Sequence, residues 1–202
     1  MSKENRSVTE IGVSPPILLT RPVRLPFGWA SAAVAGGHLL AVEWEEGIEA
    51  LRRASAVRHP GAVTIEAQAD PAGRYLLAYA AGIPVAGIEN AGIAIAWERV
   101  GEFDRAILQA TAAVAYGRTT AYGEVAARAG KPRSARAAGA ALSRNPWPVI
   151  IPCHRVVGAR GGLVGFGKGI AAKEALLRFE SATVARAAVG RAQYTGKLYN
   201  PY

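Results

Sequence analysis

Apolar and polar positions fall into two regimes along the chain. Apolar residues run from Phe27 to Trp44 on both sides of Gly36-Gly37, which predicts two strands joined as a hairpin on the glycine pair. Trp29 and Trp44 are expected in its core. Glu46 to Ala56 predicts a short helix, Ala62 to Ala67 a strand, Tyr75 to Ala81 a helix ended by Gly82-Ile83-Pro84, and Gly92 to Trp97 an apolar strand. Residues 1 to 22, polar and punctuated by Pro15, Pro16 and Pro22, read as a loosely attached lead-in. Beyond Arg99 the spacing becomes helical. Phe103, Ile107, Leu108 and Thr111 share one face of a helix over Phe103 to Ala115, closed by Gly117. Thr119 or Thr120 caps a second helix, Tyr122 to Ala129, stopped by Gly130 and Pro132. Ser134 caps a third, Ala135 to Ser143, before Asn145-Pro146. A last helix, Ala171 to Glu180, presents Leu176, Leu177 and Phe179 to the core, and the tail from Thr183 to Tyr202 is basic, with several tyrosines and no assigned element.

The reading is an α/β (α+β) protein: a small N-terminal α/β scaffold over residues 1–99 and a C-terminal, largely helical domain over 100–202. Two short helices joined by Gly130-Lys131-Pro132-Arg133 have the spacing of a helix-turn-helix, whose second helix enters a DNA groove, and equally of a plain αα-hairpin. Ala135, Ala137, Ala138, Gly139, Ala140 and Ala141 leave that second helix nearly without bulk. A backbone can therefore come close to it, whether of DNA or of another helix. Arg136 is the long cation on this bare surface, flanked by Lys131, Arg133 and Arg144.

Charge sharpens the division. The chain of 202 residues carries a formal net charge of +9. Residues 1–100 hold 9 lysines and arginines against 10 acids, and residues 101–202 hold 15 against 5. The excess in the second half points to a polyanion, nucleic acid before membrane. At 50% hydrophobic the chain can bury a core. The mixed-charge start is not a secretory signal, and the most apolar stretch is too short and too broken by glycine to span a bilayer, so an intracellular, cytoplasmic protein is expected.

One cysteine, Cys153, stands in Ile150-Ile151-Pro152-Cys153-His154-Arg155-Val156-Val157. A lone cysteine makes no internal disulfide and no cysteine-rich zinc site, and no metal or cofactor is expected. Free cysteines are commonly small buried hydrophobes, but the adjacent His154 and Arg155 supply the electropositive setting that a reactive thiolate needs. The loop Gly158 to Gly169 is rich in glycine without the Lys-Ser/Thr ending of a P-loop. It reads as a wall whose backbone approaches a flat ligand, with Phe166 packing on it.

Thr120-Ala121-Tyr122-Gly123, Ala135-Arg136-Ala137-Ala138-Gly139, Asn145-Pro146, Pro152-Cys153-His154-Arg155-Val156, Gly165-Phe166 and Lys173 with Leu176-Leu177 and Glu180 together resemble the O6-alkylguanine-DNA alkyltransferase family. Order and spacing match across residues 103–180. The resemblance implies single-turnover transfer of an alkyl group, typically methyl, from O6 of guanine in duplex DNA to Cys153 after the base is flipped out of the stack. His154 is then the base acting through a water, Glu180 its orienter, and Asn145 the hinge residue. Arg136 is the finger that fills the gap left by the base, and Tyr122 crowds the phosphate and faces the guanine edge. Leu142, Val156 through its carbonyl, Phe166 and Gly167 through its amide line the pocket. Ser134, Ala135, Arg133, Lys131 and Arg144 belong to the DNA face. The implied partner is double-stranded DNA carrying O6-alkylguanine, met by a monomer and with no membrane involved. Two other classes remain: a non-catalytic lesion-binding protein, against which the presence of Cys153 argues, and a cysteine hydrolase, which lacks an evident oxyanion-hole motif. Phe166 stands where many relatives carry tyrosine, and Gly167-Lys168-Gly169 departs from the commoner loop.

Overall fold

The computed structural model describes residues 14 to 194 except Ala86. Two short strands, Leu18–Thr20 (β1) and Val23–Leu25 (β2), precede the hairpin of Gly28–Ala35 (β3) and His38–Glu45 (β4). The hairpin turns on Gly36 and Gly37, at φ +55° and +78°, the pair of left-handed conformations that a two-residue turn between twisted strands requires. The lead-in is thus not loose throughout. β1 pairs β3 antiparallel and Val63–Ile65 (β5) in parallel, while residues 1–13 lie outside the described region. Ala94–Ile95 (β6) adds in parallel to β4, giving the sheet order β5-β1-β3-β4-β6 with β2 beside β3. β6 is shorter than the apolar run Gly92 to Trp97, because Gly92 closes a 3-10 turn in the left-handed conformation and Trp97–Arg99 forms another.

Ile48–Arg58 (α1) and Pro71–Ala80 (α2) are the helices of this half. α2 starts before Tyr75 because Asp70-Pro71 is a start signal: the Asp70 carboxylate accepts from the Ala72 amide at 2.8 Å, and a proline in the first turn has no N–H to leave unpaired. Trp44 is buried, as expected, but Trp29 is only partly covered and lies under the Arg24 guanidinium. The buried Glu43 carboxylate of β4 is bound by Arg58 and by His59, the latter at 2.9 Å.

The second half contains Glu102–Ala112 (α3), Thr120–Ala121 (β7), Tyr122–Arg128 (α4), Ala135–Ser143 (α5), Val156–Val157 (β8) and Ile170–Tyr194 (α6). Among the described residues, neither sequence-predicted cap side chain accepts from a backbone amide of its helix. Ala121 is the N-cap of α4, and Glu124 reaches back both to the Ala121 amide and to the Thr120 hydroxyl; Ser134 occupies the N-cap position of α5 without a cap hydrogen bond from its side chain. α6 continues well past Glu180, since Ser181 to Val189 contains no proline or glycine to stop it. Among the described residues no helix is long and apolar enough to cross a membrane.

One apolar cluster runs from Val23 to Leu176 through both halves. Trp147, fully buried, donates its indole N–H to the carbonyls of Leu39 and Leu40, and the Val42 amide donates to the Pro146 carbonyl at 2.8 Å. The edge of β4 that faces away from β3 is thereby tied to the segment that leads into the cysteine. The parallel pairing of β7 with β8, Thr120 to Val156 and Ala121 to Val157, sets the start of α4 beside the same segment.

Candidate active site

Ile150 and Ile151 are buried, Pro152 ends the apolar run, and Cys153–Arg155 form a single 3-10 turn leading into β8. The turn is held by Asn145, just beyond the end of α5, whose amide nitrogen donates to the Ile151 carbonyl at 2.9 Å and to Cys153 Sγ at 3.2 Å. Its amide oxygen accepts from the Trp147 backbone at 3.0 Å. One side chain thus fixes both the turn and the sulfur. Cys153 is 6% exposed, and burial pushes its thiol up; the Asn145 hydrogen bond and the Lys173 charge oppose this without reversing it. The thiol is therefore protonated at neutral pH, and nucleophilic attack needs a base.

His154 is the nearest candidate. Its Nε2 lies 2.7 Å from Glu180 Oε1, and both side chains are shut off from solvent. A carboxylate can only accept, so Nε2 carries the proton and Nδ1 presents a lone pair. Nδ1 is buried and has no hydrogen-bond partner among the described residues. Burial pushes His154 below the usual histidine range despite the pull of Glu180. The imidazole is therefore neutral and can take a proton. Burial alone would raise Glu180, but hydrogen bonds from His154 and Arg155 bring it down to about 2.

A cavity of about 890 Å³ opens above the sulfur, lined by Cys153, Tyr122, Arg136, Gly139, Leu142, Val164, Phe166 and Gly167 among others. Arg136 is exposed at its edge and Ala135 also lines it. The Tyr122 hydroxyl points across it to the carbonyls of Val164 and Gly165, at 3.0 and 3.1 Å. Phe166 makes an edge-on contact with Trp44, and Lys168 pairs with Glu45 at 3.3 Å, so the glycine-rich loop is pinned to the β3–β4 hairpin. The residues treated from sequence as scaffold therefore also shape the cavity wall.

Val156, Ser134, Lys131, Arg133 and Arg144 do not line this cavity. Val156 is buried and its carbonyl accepts from Lys173 Nζ at 2.6 Å. Arg144 is held in a two-pronged pair with Asp104, at 2.8 and 2.9 Å, rather than presented to a phosphate. Lys131, Arg133 and Ser134 lie in the turn between α4 and α5, with Arg133 in the left-handed conformation at φ +67°.

Three contributors had no role from residue spacing. Lys173, fully buried on α6, also donates to the Val164 carbonyl at 3.1 Å, so one ammonium joins β8, the cavity loop and Tyr122. Arg155 donates to both oxygens of Glu180 and to the Val114 carbonyl. Tyr79 of α2 donates to Glu180 at 3.0 Å. The motifs that carry the family resemblance include Arg155 and Lys173 but assigned neither a role. Tyr79 lies 101 positions from its partner and gave no signal.

Fold and site together define an α/β protein with a thiol at the floor of a cavity walled by two short helices and a glycine-rich loop. Residues 102–182 match the family of the 6-O-methylguanine DNA methyltransferase DNA-binding domain. The methylated-DNA–protein-cysteine methyltransferase of Mycobacterium leprae is 49% identical over 79 residues, which is 39% of this chain and 48% of that protein. The match thus spans about half the length of such curated relatives. The crystal structure of Mycobacterium tuberculosis O6-methylguanine methyltransferase is 31% identical, with 83% of this chain and 94% of that chain covered at a TM-score of 0.64. A structure of Mycobacterium tuberculosis OGT in complex with DNA matches at 30% identity, covering 82% and 94%, with a TM-score of 0.65. The chain belongs to the O6-methylguanine-DNA methyltransferase family.

Proposed function

We propose that the protein repairs duplex DNA by moving an alkyl group from O6 of guanine to Cys153, once per molecule. The observation that carries this reading is the buried His154 next to a buried thiol, with Nε2 committed to Glu180 and Nδ1 unpartnered among the described residues. The thiol proton passes to Nδ1 through a water, because side chains of consecutive residues rarely meet directly. Sulfur attacks the alkyl carbon, the carbon–O6 bond breaks, and guanine leaves with the bonding electrons. Glu180 stabilises the imidazolium that results, completing a set of nucleophile, base and orienter. The product is a thioether with no hydrolytic route back.

The target base must leave the stack to reach Cys153, which costs a few kcal/mol that contacts to the extruded base and the gap it leaves must offset. Arg136, exposed at the cavity edge on the bare face of α5, is suited to fill that gap. We read α4, its following turn and α5 as the helix-turn-helix that meets the duplex, with Lys131, Arg133, Ser134 and Ala135 at the phosphates. Leu142, Phe166 and the Gly167 amide face the base; the Val156 carbonyl can join them only while also accepting from Lys173. Tyr122 already donates to the carbonyls of Val164 and Gly165, so it contacts guanine by exchanging one of these bonds. Arg144 drops out of the phosphate set because Asp104 holds it. The site lies within residues 100–202, braced by the 1–99 scaffold, in a monomer that acts inside the cell on DNA.

Replacing Cys153 by alanine tests the assignment. Transfer from an O6-methylguanine duplex should vanish while DNA affinity stays near that of the parent protein; loss of both together would make Cys153 a structural residue.

A further inference from the structure

Glu180 is held by more donors than orienting one imidazole requires. Its Oε2 accepts from the Gly117 amide at 2.9 Å and from Arg155. Its Oε1 accepts from His154 at 2.7 Å, from Arg155 at 3.0 and 3.2 Å, and from the Tyr79 hydroxyl at 3.0 Å. Tyr79 is fully buried, belongs to α2, and lies outside the 102–182 segment that carries the family match. Its ring stands edge-on to His154 and to Tyr116, and tilted against Phe179. Gly117 is fixed for the same carboxylate: it sits at φ +71°, and a Cβ there would come within 2.6 Å of Val184.

Negative charge on Oε1 is divided among the donors that share it, and each added donor weakens the hold of the carboxylate on the others. We propose that Tyr79 is a positioning residue for alkyl transfer: by donating to Glu180 Oε1 it limits how strongly the carboxylate favours the imidazolium, which leaves His154 free to accept the thiol proton. The inference rests on the alkyl-transfer reading. It also gives the N-terminal half a part in the chemistry, through one hydroxyl.

Other ionisable groups face the same centre. Tyr75 of α2, Tyr116 after α3 and Arg186 of α6 surround the Glu180 cluster, and Arg155, Lys173 and Cys153 act on His154. Among the described residues, only Tyr79 and Arg155 share Oε1 with His154. Arg155 also secures Val114, so its removal disturbs the fold at another point. Tyr79→Phe keeps the ring contacts and removes one O–H.

The chain has three histidines, His38, His59 and His154, so their imidazole titrations are separable by NMR in protein labelled with 15N-histidine. In Tyr79→Phe the His154 midpoint should rise by about half to one pH unit, on the order of one hydrogen bond to a charged group. The acid limb of the transfer rate should shift with His154. An unchanged His154 midpoint in folded Tyr79→Phe would overturn the proposal. If that variant does not fold, 3-fluorotyrosine placed at position 79 keeps the hydroxyl and strengthens it as a donor. The His154 midpoint should then fall, and no change would again overturn the proposal. A parent protein that binds the lesion duplex without gaining an alkyl group would instead refute the transfer reading, while the NMR titration still judges the link from Tyr79 to His154.

Discussion

His154 Nε2 and Glu180 Oε1 lie 2.7 Å apart, and neither side chain is exposed to solvent. The contact fixes the imidazole tautomer and turns the basic nitrogen, Nδ1, away from the carboxylate. Removing His154 should expose how much the thiol depends on that base. Single-turnover transfer in His154→Ala should slow by roughly 10²- to 10⁴-fold, the usual contribution of a positioned general base. Rates within threefold of the parent would leave the thiol to ionise without help.

Glu180→Gln should reduce both rate and stability. The substitution leaves the buried Arg155 guanidinium without its counter-charge, and breaking a buried pair on one side costs about 3–5 kcal/mol. Urea unfolding at neutral pH measures this, and a change below roughly 1 kcal/mol would mean that Arg155 finds other partners.

Two pH dependences follow from the same pair. Transfer should fail on the acid side as His154 is protonated, with a midpoint below the ordinary histidine value of 6.5 because burial disfavours the cation. Stability has its own window. Glu180 is depressed from 4.5 to about 2 in the folded state. Its contribution is therefore fully present above 4.5 and is lost as pH falls from there through about 2. Unfolding free energies of parent and Glu180→Gln should converge across that window, and parallel curves would exclude Glu180 as the source.

Much of this site was legible in sequence, and the reasons for what was not are physical. Cys153 and His154 stood out as a lone thiol beside an imidazole and Arg136 as the long cation on a bare helix, while Glu180, Asn145 and Tyr122 were named through the family resemblance. The hairpin was legible from Gly36-Gly37, whose turn geometry is a local property. Tyr79, the Trp44–Phe166 contact and the Lys168–Glu45 pair were not, since they join segments more than a hundred residues apart and no spacing rule reaches across such distances. The Ser134 cap and a last helix ending at Glu180 were misread for the opposite reason. Local propensity named them, but the Ser134 side chain makes no cap bond, and the run after Glu180 contains nothing that ends a helix before Gly190.

Arg136→Ala should weaken binding to lesion duplex and slow repair there, yet leave reaction with free O6-alkylguanine base near the parent rate, because the free base needs no extrusion. Equal slowing on both substrates would place Arg136 in the chemistry instead. Affinity for duplex should also drop steeply with added salt as phosphate contacts release counterions. A flat salt response would remove the basic second half as the DNA face.

Asn145→Ala removes the donor to Cys153 Sγ and both backbone anchors of the turn; the Ile151 carbonyl keeps the Cys153 amide as a donor, but the Trp147 amide is left unpaired at about 1–3 kcal/mol. It should destabilise the protein and slow transfer together. A variant that slows transfer at unchanged stability would confine Asn145 to the thiol.

The most direct measurement is the intact mass of the protein after incubation with a duplex carrying one O6-methylguanine, followed by peptide mapping. Single-turnover transfer predicts a stoichiometric gain of one CH₂, located on Cys153 and absent from Cys153→Ala. Tight binding to the same duplex with no change in mass would contradict it and leave a lesion-binding protein.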